Sequence, residues 1–349
     1  MTGLTLKSDP RPAEIEPLAL SPEELLDRVL AIGALPSATQ RLLSLTRTEG
    51  AELAPVIEAL SQNPSLAAAV LRLANSSAYG QSRGVADLHR AVMIVGMQEL
   101  HDVVAGTAML GAFARPDPVS EYLQATAGLS AVIAQKLSAQ LGRGAPATAY
   151  LAGLMCELGA LACLALDPDF SELHLASEGN ARQRFATENA RYHGTTAALG
   201  GRILQASGLP SEVAAAVSTT GLEPPGEAPP LGRIVAFARL AAVALLQAAE
   251  HGDPDVLTSD LTVSATTVGL DDVEPELLVR TCLAAAPSAE LTLQGELATM
   301  QSAAENDNAR APGLRTTLRP IRPRGPAFYV AMCTGAAAIG GAVAWLLLR

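Results

Sequence analysis

The chain has 349 residues, with 49% hydrophobic residues, only 3% aromatics and a net charge of −11. That is enough apolar material for one large or two small domains, and Ala and Leu supply most of it, which favours helices. A pI of about 5.0 leaves no basic surface for a phosphate backbone, so nucleic acid is excluded as a partner. The four cysteines, Cys156, Cys163, Cys282 and Cys333, form no CxxC and lie in apolar surroundings, as reduced thiols packed as small hydrophobes do.

Residues 1–20 lack the basic start and long apolar run of a signal peptide and read as a flexible leader. Helical signals begin at "SPEELLDRVL", where Ser21 is an N-cap, Pro22 the first helical residue and two acids fill the first turn. "LPSATQRLLSL" and "ELAPVIEALSQ" continue the pattern. "NPSLAAAVLRLANSS" opens with Asn63 as cap and Pro64 behind it, and Leu66, Val70, Leu71 and Leu73 make an apolar stripe. "DLHRAVMIVGMQELHDVVAGTAMLGAF" reads as helix on both sides of Gly96. Long Ala-rich helices are predicted over 119–141 and, without interruption, over 147–165. The second holds "LAGLMCELGALACL", an apolar run with one acid, Glu157, beside one thiol, Cys156.

"DPDFSELHLASEG" is a loop or short helix, and Arg182, Arg184 and Arg191 after it read as a solvated loop face that could also contact phosphate. Two helices hinge at Gly208–Pro210, and a further buried helix runs through "LGRIVAFARLAAVALLQAAE". The β-branched stretch 253–272 has no sheet to join and is expected to be helix and loop. "EPELLVRTCLAAAP" and "SAELTLQGELATMQSAAE" close the globular part near Glu305. His89, His101, His174 and His251 form no HxxxH or HExxH pattern, and there is no phosphate-binding loop or nucleophile elbow.

Beyond Glu305 the composition changes. Residues 306–326 are rich in Pro and Arg, which marks a linker. Residues 327–348 are 22 uncharged positions, matching the ~20 that span hydrocarbon. Phe328, Tyr329 and Trp345 stand near its ends as interfacial aromatics do. Arg310, Arg315, Arg319, Arg322 and Arg324 precede the run and Arg349 alone follows it, which predicts a C-terminal anchor with the bulk of the chain cytoplasmic and the arginines against anionic lipid.

The stretch from Leu35 to Leu100 resembles the HDOD domain family. The resemblance is carried by Leu35–Pro36, Asn63–Pro64, Leu66, Leu71, Asn75–Ser76, Tyr79, Ala91 and Gly96 with Leu100, and continues more weakly to about Leu222. The family usually has Asp-Pro where this chain has Asn63–Pro64, and either residue caps a helix. The resemblance implies an all-α, HD-like helical bundle over 21–228; the sequence pattern adds C-terminal helices over 229–305, the linker over 306–326 and a single transmembrane helix over 327–348. HDOD domains are relatives of the HD and HD-GYP phosphohydrolases, whose His and Asp side chains hold divalent metals. Cys156–Glu157 stands where those relatives carry the His-Asp pair. Thr196, and the pair Thr219–Thr220, stand near positions where the family places further histidines. The resemblance therefore implies degenerate former ligand positions, with no catalytic residue, metal or cofactor. Leu35, Pro36, Asn63, Pro64, Asn75, Ser76, Tyr79 and Gly96 are then structural or partner-binding residues. The expected function is that of a non-enzymatic signalling or scaffold protein on the inner face of a bacterial membrane, working through protein partners. The alternatives are a nucleotide-sensing module using the former cleft, and a residual metal-dependent phosphohydrolase.

Overall fold

The computed structural model describes residues 15–33, 37–47, 52–75, 79, 84–176, 181–220, 228–251 and 254–285. Among these residues there is no strand; every regular element is helical. Leu35, Pro36, Ser76, the Pro/Arg-rich linker and the apolar run 327–348 lie outside the described residues.

The first half comprises α1 (Pro22–Ile32), α2 (Ser37–Arg47), α3 (Leu53–Ser61), α4 (Pro64–Ala74), α5 (Leu88–Val95) and α6 (Met97–Phe113). Local chemistry sets their starts. Ser21 and Glu24 form a reciprocal capping box on α1: Glu24 N donates to Ser21 Oγ (3.2 Å) and Ser21 N to Glu24 Oε2 (2.8 Å). Asn63 accepts from Leu66 N (3.3 Å) and starts α4, and Asp87 accepts from Arg90 N (2.8 Å) and starts α5. Between α5 and α6 the backbone turns at Gly96, whose φ of 86° suits a residue without Cβ.

The second half is built around α7 (Pro118–Leu141), a helix of 24 residues capped by Asp117 and closed by Gly142. Most of its faces are buried, and its Ala127, Ala131 and Ala134 let neighbours come close. Against it pack α8 (Pro146–Leu154) and α14 (Pro230–His251). The remaining elements are α9 (Leu158–Leu166), α10 (Phe170–Ala176), α11 (Ala181–Tyr192), α12 (Thr196–Ala206), α13 (Ser211–Ser218), α15 (Pro254–Thr267) and a last helix, α16, over 275–285. α6 packs on both α8 and α9, joining the two halves through one continuous apolar core. Ion pairing of Arg143 with Asp272 ties the end of α7 to the turn after α15, and Thr281 donates to Gln140 Oε1 (2.6 Å) to hold α16 on α7.

Two expectations are corrected. The helix foreseen over 147–165 is two helices, because residues 155–157 form a turn closed by Cys156 N to Gly153 O (3.3 Å) and Leu158 N to Met155 O (3.0 Å). The segment carrying Arg184 and Arg191 is helix α11, not a solvated loop face. The stretch read as a loop or short helix is the short helix α10, on which His174 is buried.

Two described stretches are long and apolar enough to cross a membrane, Pro146–Leu166 and Pro230–Gln247, with 83% and 61% of their apolar windows buried inside the fold. Their apolar surface is thus already covered by protein, as in core helices.

Candidate functional site

The turn at 155–157 places Glu157 at the head of α9, with its side chain turned away from the backbone it would cap. It is 2% exposed, and burying a carboxylate without a counter-charge costs several kcal/mol. The counter-charge comes from 82 residues downstream. Arg239, on α14, donates from Nε to Glu157 Oε1 (2.6 Å) and from Nη2 to Oε2 (3.4 Å), a forked pair with both oxygens engaged. Burial alone would lower the guanidinium's pKa, but the Glu157 carboxylate outweighs it and holds Arg239 firmly charged. Cys156, next to Glu157, lies near Ser130 of α7; burial and the Glu157 charge push its thiol up to about 12.

A second buried acid adjoins the first. Glu188, on α11, accepts from the backbone N of Thr196 (2.8 Å) and from Thr196 Oγ1 (3.1 Å), closing the head of α12 where the helix dipole favours negative charge. Burial nevertheless raises its pKa beyond what these bonds lower it. Arg184, one turn earlier on α11, is within electrostatic reach of Glu157, Glu188, Arg239 and Tyr122. His174 completes the neighbourhood. Its ring stacks on Phe170 (centroids 5.5 Å apart) and meets Tyr122 edge-on (6.4 Å). Burial, with Arg184 and Arg239 nearby, drives it down to about 3, so the imidazole is neutral at physiological pH.

The site thus draws together Cys156, Glu157 and, through Glu188, Thr196. Thr219 and Thr220 are spent otherwise: their hydroxyls donate to Ala216 O and Val217 O (both 2.8 Å) at the end of α13. The residues do not fit a divalent metal. Such an ion needs deprotonated or neutral donors converging on one point. Here the thiol is held protonated, both Glu157 oxygens are bound to a guanidinium, and both Glu188 oxygens are bound by Thr196. Among the described residues no group of three or more His, Cys, Asp or Glu side chains is placed to hold an ion.

Sequence reasoning missed Arg239, whose place inside an apolar helix (Ala238–Arg239–Leu240) was the available signal. It also missed a third buried acid. Asp167 accepts from Arg191 Nε and Nη2 (both 2.8 Å), from Tyr192 Oη (2.8 Å) and from Asp169 N (3.1 Å). Burial raises its pKa, but the Arg191 and Tyr192 bonds lower it further, leaving it below the usual carboxylate range. Arg191 also donates to Glu16 O (2.7 Å), pinning the entry to α1.

The remaining motif residues organise the first half. Asn75 Nδ2 donates to Leu71 O (2.8 Å) and Val85 O (2.7 Å), and its Oδ1 accepts from Val85 N (2.6 Å), so one amide closes the connection between α4 and α5. Tyr79 is half-buried, and burial with the Glu99 charge raises its hydroxyl to about 12.

A solved structure of a candidate phosphohydrolase from Shewanella amazonensis SB2B matches with a TM-score of 0.59 at 24% identity, covering 78% of this chain and 97% of that one. An HDOD domain protein of unknown function from Geobacter sulfurreducens matches with a TM-score of 0.48 at 19% identity (78% and 96% covered). A candidate signal transduction protein from Marinobacter aquaeolei VT8 matches with a TM-score of 0.49 at 22% identity (79% and 61% covered). At these identities the first likeness is one of fold. No curated protein matches the chain. The model of the HDOD domain matches residues 32–220, more than half of the chain. The chain belongs to the HDOD domain family.

Proposed function

We propose that this chain is a non-catalytic signal-transduction or scaffold protein that acts by binding protein partners at the cytoplasmic face of a bacterial membrane. The observation that carries the reading is the Glu157–Arg239 pair. At the position where the resemblance puts a metal-binding His-Asp pair, the one carboxylate is saturated by a guanidinium from a helix beyond the matched domain. A fixed internal cation pairs with the acid in place of an exchangeable ion. What remains for function is surface, and the buried ion pairs serve to hold that surface in shape. The membrane location rests on the 22 uncharged residues from Ala327 and the five arginines before them, a helix of about 33 Å at ~1.5 Å per residue.

The test has two arms on the full-length chain. Incubation with phosphodiester and phosphomonoester substrates and Mg²⁺ or Mn²⁺ is expected to give no hydrolysis above the rate of a Glu157→Ala variant. Membranes carrying the chain are expected to retain it in carbonate and release it in detergent, and a chain stopped at Asn308 is expected in the soluble fraction. Metal-dependent turnover lost with Glu157 would overturn the non-catalytic reading, and release by salt alone would overturn the anchor.

A further inference from the structure

A cavity of about 480 Å³ lies where the end of α7 meets the start of α14 and the turn after α15, lined by Arg143, Pro230, Arg233, Leu270, Asp271 and Asp272. It shares no residue with the Glu157–Glu188 cluster, and its volume falls within the roughly 300–1,000 Å³ of small-molecule sites. Hydrogen bonds hold its walls. Ser138 Oγ donates to Arg143 O (2.9 Å) and Gly144 O (3.0 Å), which fixes the loop carrying Arg143. Leu270 N donates to Ala265 O (2.9 Å) and closes the opposite turn. Arg233 Nε donates to Ala228 O (3.2 Å) and its Nη1 to Gly269 O (3.3 Å), so this guanidinium joins the start of α14 to that turn. Arg143 meets the carboxylate of Asp272 with both arms of its fork: Nη1 donates to Oδ1 (3.4 Å) and Nη2 to Oδ2. The bonds from Arg143 hold the Asp272 carboxyl below the usual carboxylate range, and the charge of Arg233 adds to them, so both guanidiniums act on one oxyanion.

Asp272 thus marks where an oxyanion sits in this cavity, and it is a loosely held occupant. Its side chain is 60% exposed and that of Arg143 33%, and a pair so open to water contributes little to stability. A ligand's own oxyanion can replace it on the Arg143 fork, because a guanidinium takes carboxylate and phosphate alike through two parallel bonds. The volume leaves room for a body behind the oxyanion, and Pro230 and Leu270 supply the apolar part of the lining. Asp271 keeps the lining from being purely cationic, which disfavours polyanions. We propose that this cavity binds a small organic acid or phosphate ester, whose oxyanion displaces Asp272 from Arg143 and is held between Arg143 and Arg233. Arg143 lies within the matched residues 32–220, whereas Arg233 and Asp272 lie beyond them. Occupancy therefore exchanges a clasp between the domain and its C-terminal helices for a ligand. The proposal does not depend on the non-catalytic reading of the Glu157 cluster.

The experiment is calorimetric titration of the full-length chain with benzoate, phenyl phosphate, acetate and inorganic phosphate, each against chloride at matched ionic strength. Benzoate or phenyl phosphate is expected to bind saturably, and more tightly than acetate or inorganic phosphate, which lack the apolar body. The tighter of the two larger probes assigns the oxyanion to a carboxylate or to a phosphate. Arg143→Gln is expected to weaken binding about tenfold or more, and so is Arg143→Lys, which keeps the charge and loses the fork. Asp272→Asn removes the competing carboxylate and is expected to tighten binding about threefold or more, a gain that a purely structural pair would not give. All three variants are expected to melt as wild type does, because the pair is exposed. The proposal is overturned if no anion outperforms chloride in wild type and in Asp272→Asn, if the bare ions bind as tightly as the larger probes, if Arg143→Gln binds as wild type does, or if Asp272→Asn binds no more tightly than wild type. It is also overturned if Arg143→Gln melts well below wild type, since a clasp that the fold needs could not be given up to a ligand.

Discussion

Removing the guanidinium of Arg239 should be among the most damaging single changes in the chain. Arg239→Ala leaves Glu157 2% exposed, with both oxygens stripped of donors that now stand 2.6 and 3.4 Å away. Arg184 remains within electrostatic reach of Glu157, and burial lowers its pKa. Breaking a buried pair by deleting one partner costs about 3–5 kcal/mol. For a domain of this size each kcal/mol moves the melting temperature by about 2–4 °C, so a drop of roughly 6–20 °C is expected. Glu157→Gln should cost less, since the amide oxygen still accepts from the fork. The double variant Glu157→Leu with Arg239→Met, which replaces both charges by apolar groups of similar volume, should lie well above the sum of the two single losses. Thermal and denaturant melts of wild type, Glu157→Leu, Arg239→Met and the double variant measure the coupling. An Arg239→Ala variant within about 0.5 kcal/mol of wild type would refute the reasoning, because solvent would then be reaching Glu157 without help.

Other perturbations test other parts of the structure. A Cβ at Gly159 would stand 1.8 Å from Thr196 O, where backbone cannot yield cheaply, so Gly159→Ala should cost about 3 kcal/mol or more and separate α9 from α12; a neutral melt would show the crossing is looser than described. His174 sits near 3 in the fold against ~6.5 unfolded, so the unfolded state takes up the proton first and stability falls as pH drops below about 6.5; by pH 5 the loss is about 2 kcal/mol, and a His174→Phe variant should show a shallower slope between pH 7 and 5. Asp167 is shifted in the same direction: its lowered value contributes stability above the unfolded value of ~3.9 that is lost as pH falls through the folded one, so Asp167→Asn should flatten the acid limb below about pH 4. Asn75→Ala removes the amide that closes the connection between α4 and α5 and should cost about 1–3 kcal/mol, against about 1 kcal/mol for the Asn63 cap; equal, negligible losses would move both residues from structure to partner binding.

Much of this fold is legible in the sequence because helix ends are written locally. Ser21 with Glu24, Asn63 with Pro64, and Gly96 each mark a boundary by chemistry within one turn of the chain. The break at 155–157 is written elsewhere. The stretch from Leu151 to Leu164 has no proline, and its two glycines serve close packing, so periodicity carries the helix straight through. What accompanies the turn is Glu157's bond to a residue 82 positions later, which no local window contains. The same limit hid the role of α11. Its polar composition suggests a solvated face, yet Arg184 and Glu188 point that polarity into the domain. Asp167 before Pro168 looks like loop punctuation until Arg191 and Tyr192 are brought to it by the return of α11.

The central claim is that a fixed guanidinium stands where the resemblance places an exchangeable metal. Calorimetric titration of Mn²⁺ into metal-stripped full-length chain tests it most directly. The account predicts no saturable binding at micromolar concentrations, in wild type and in Glu157→Ala alike. One equivalent of Mn²⁺ bound by wild type, and lost in Glu157→Ala, would contradict it.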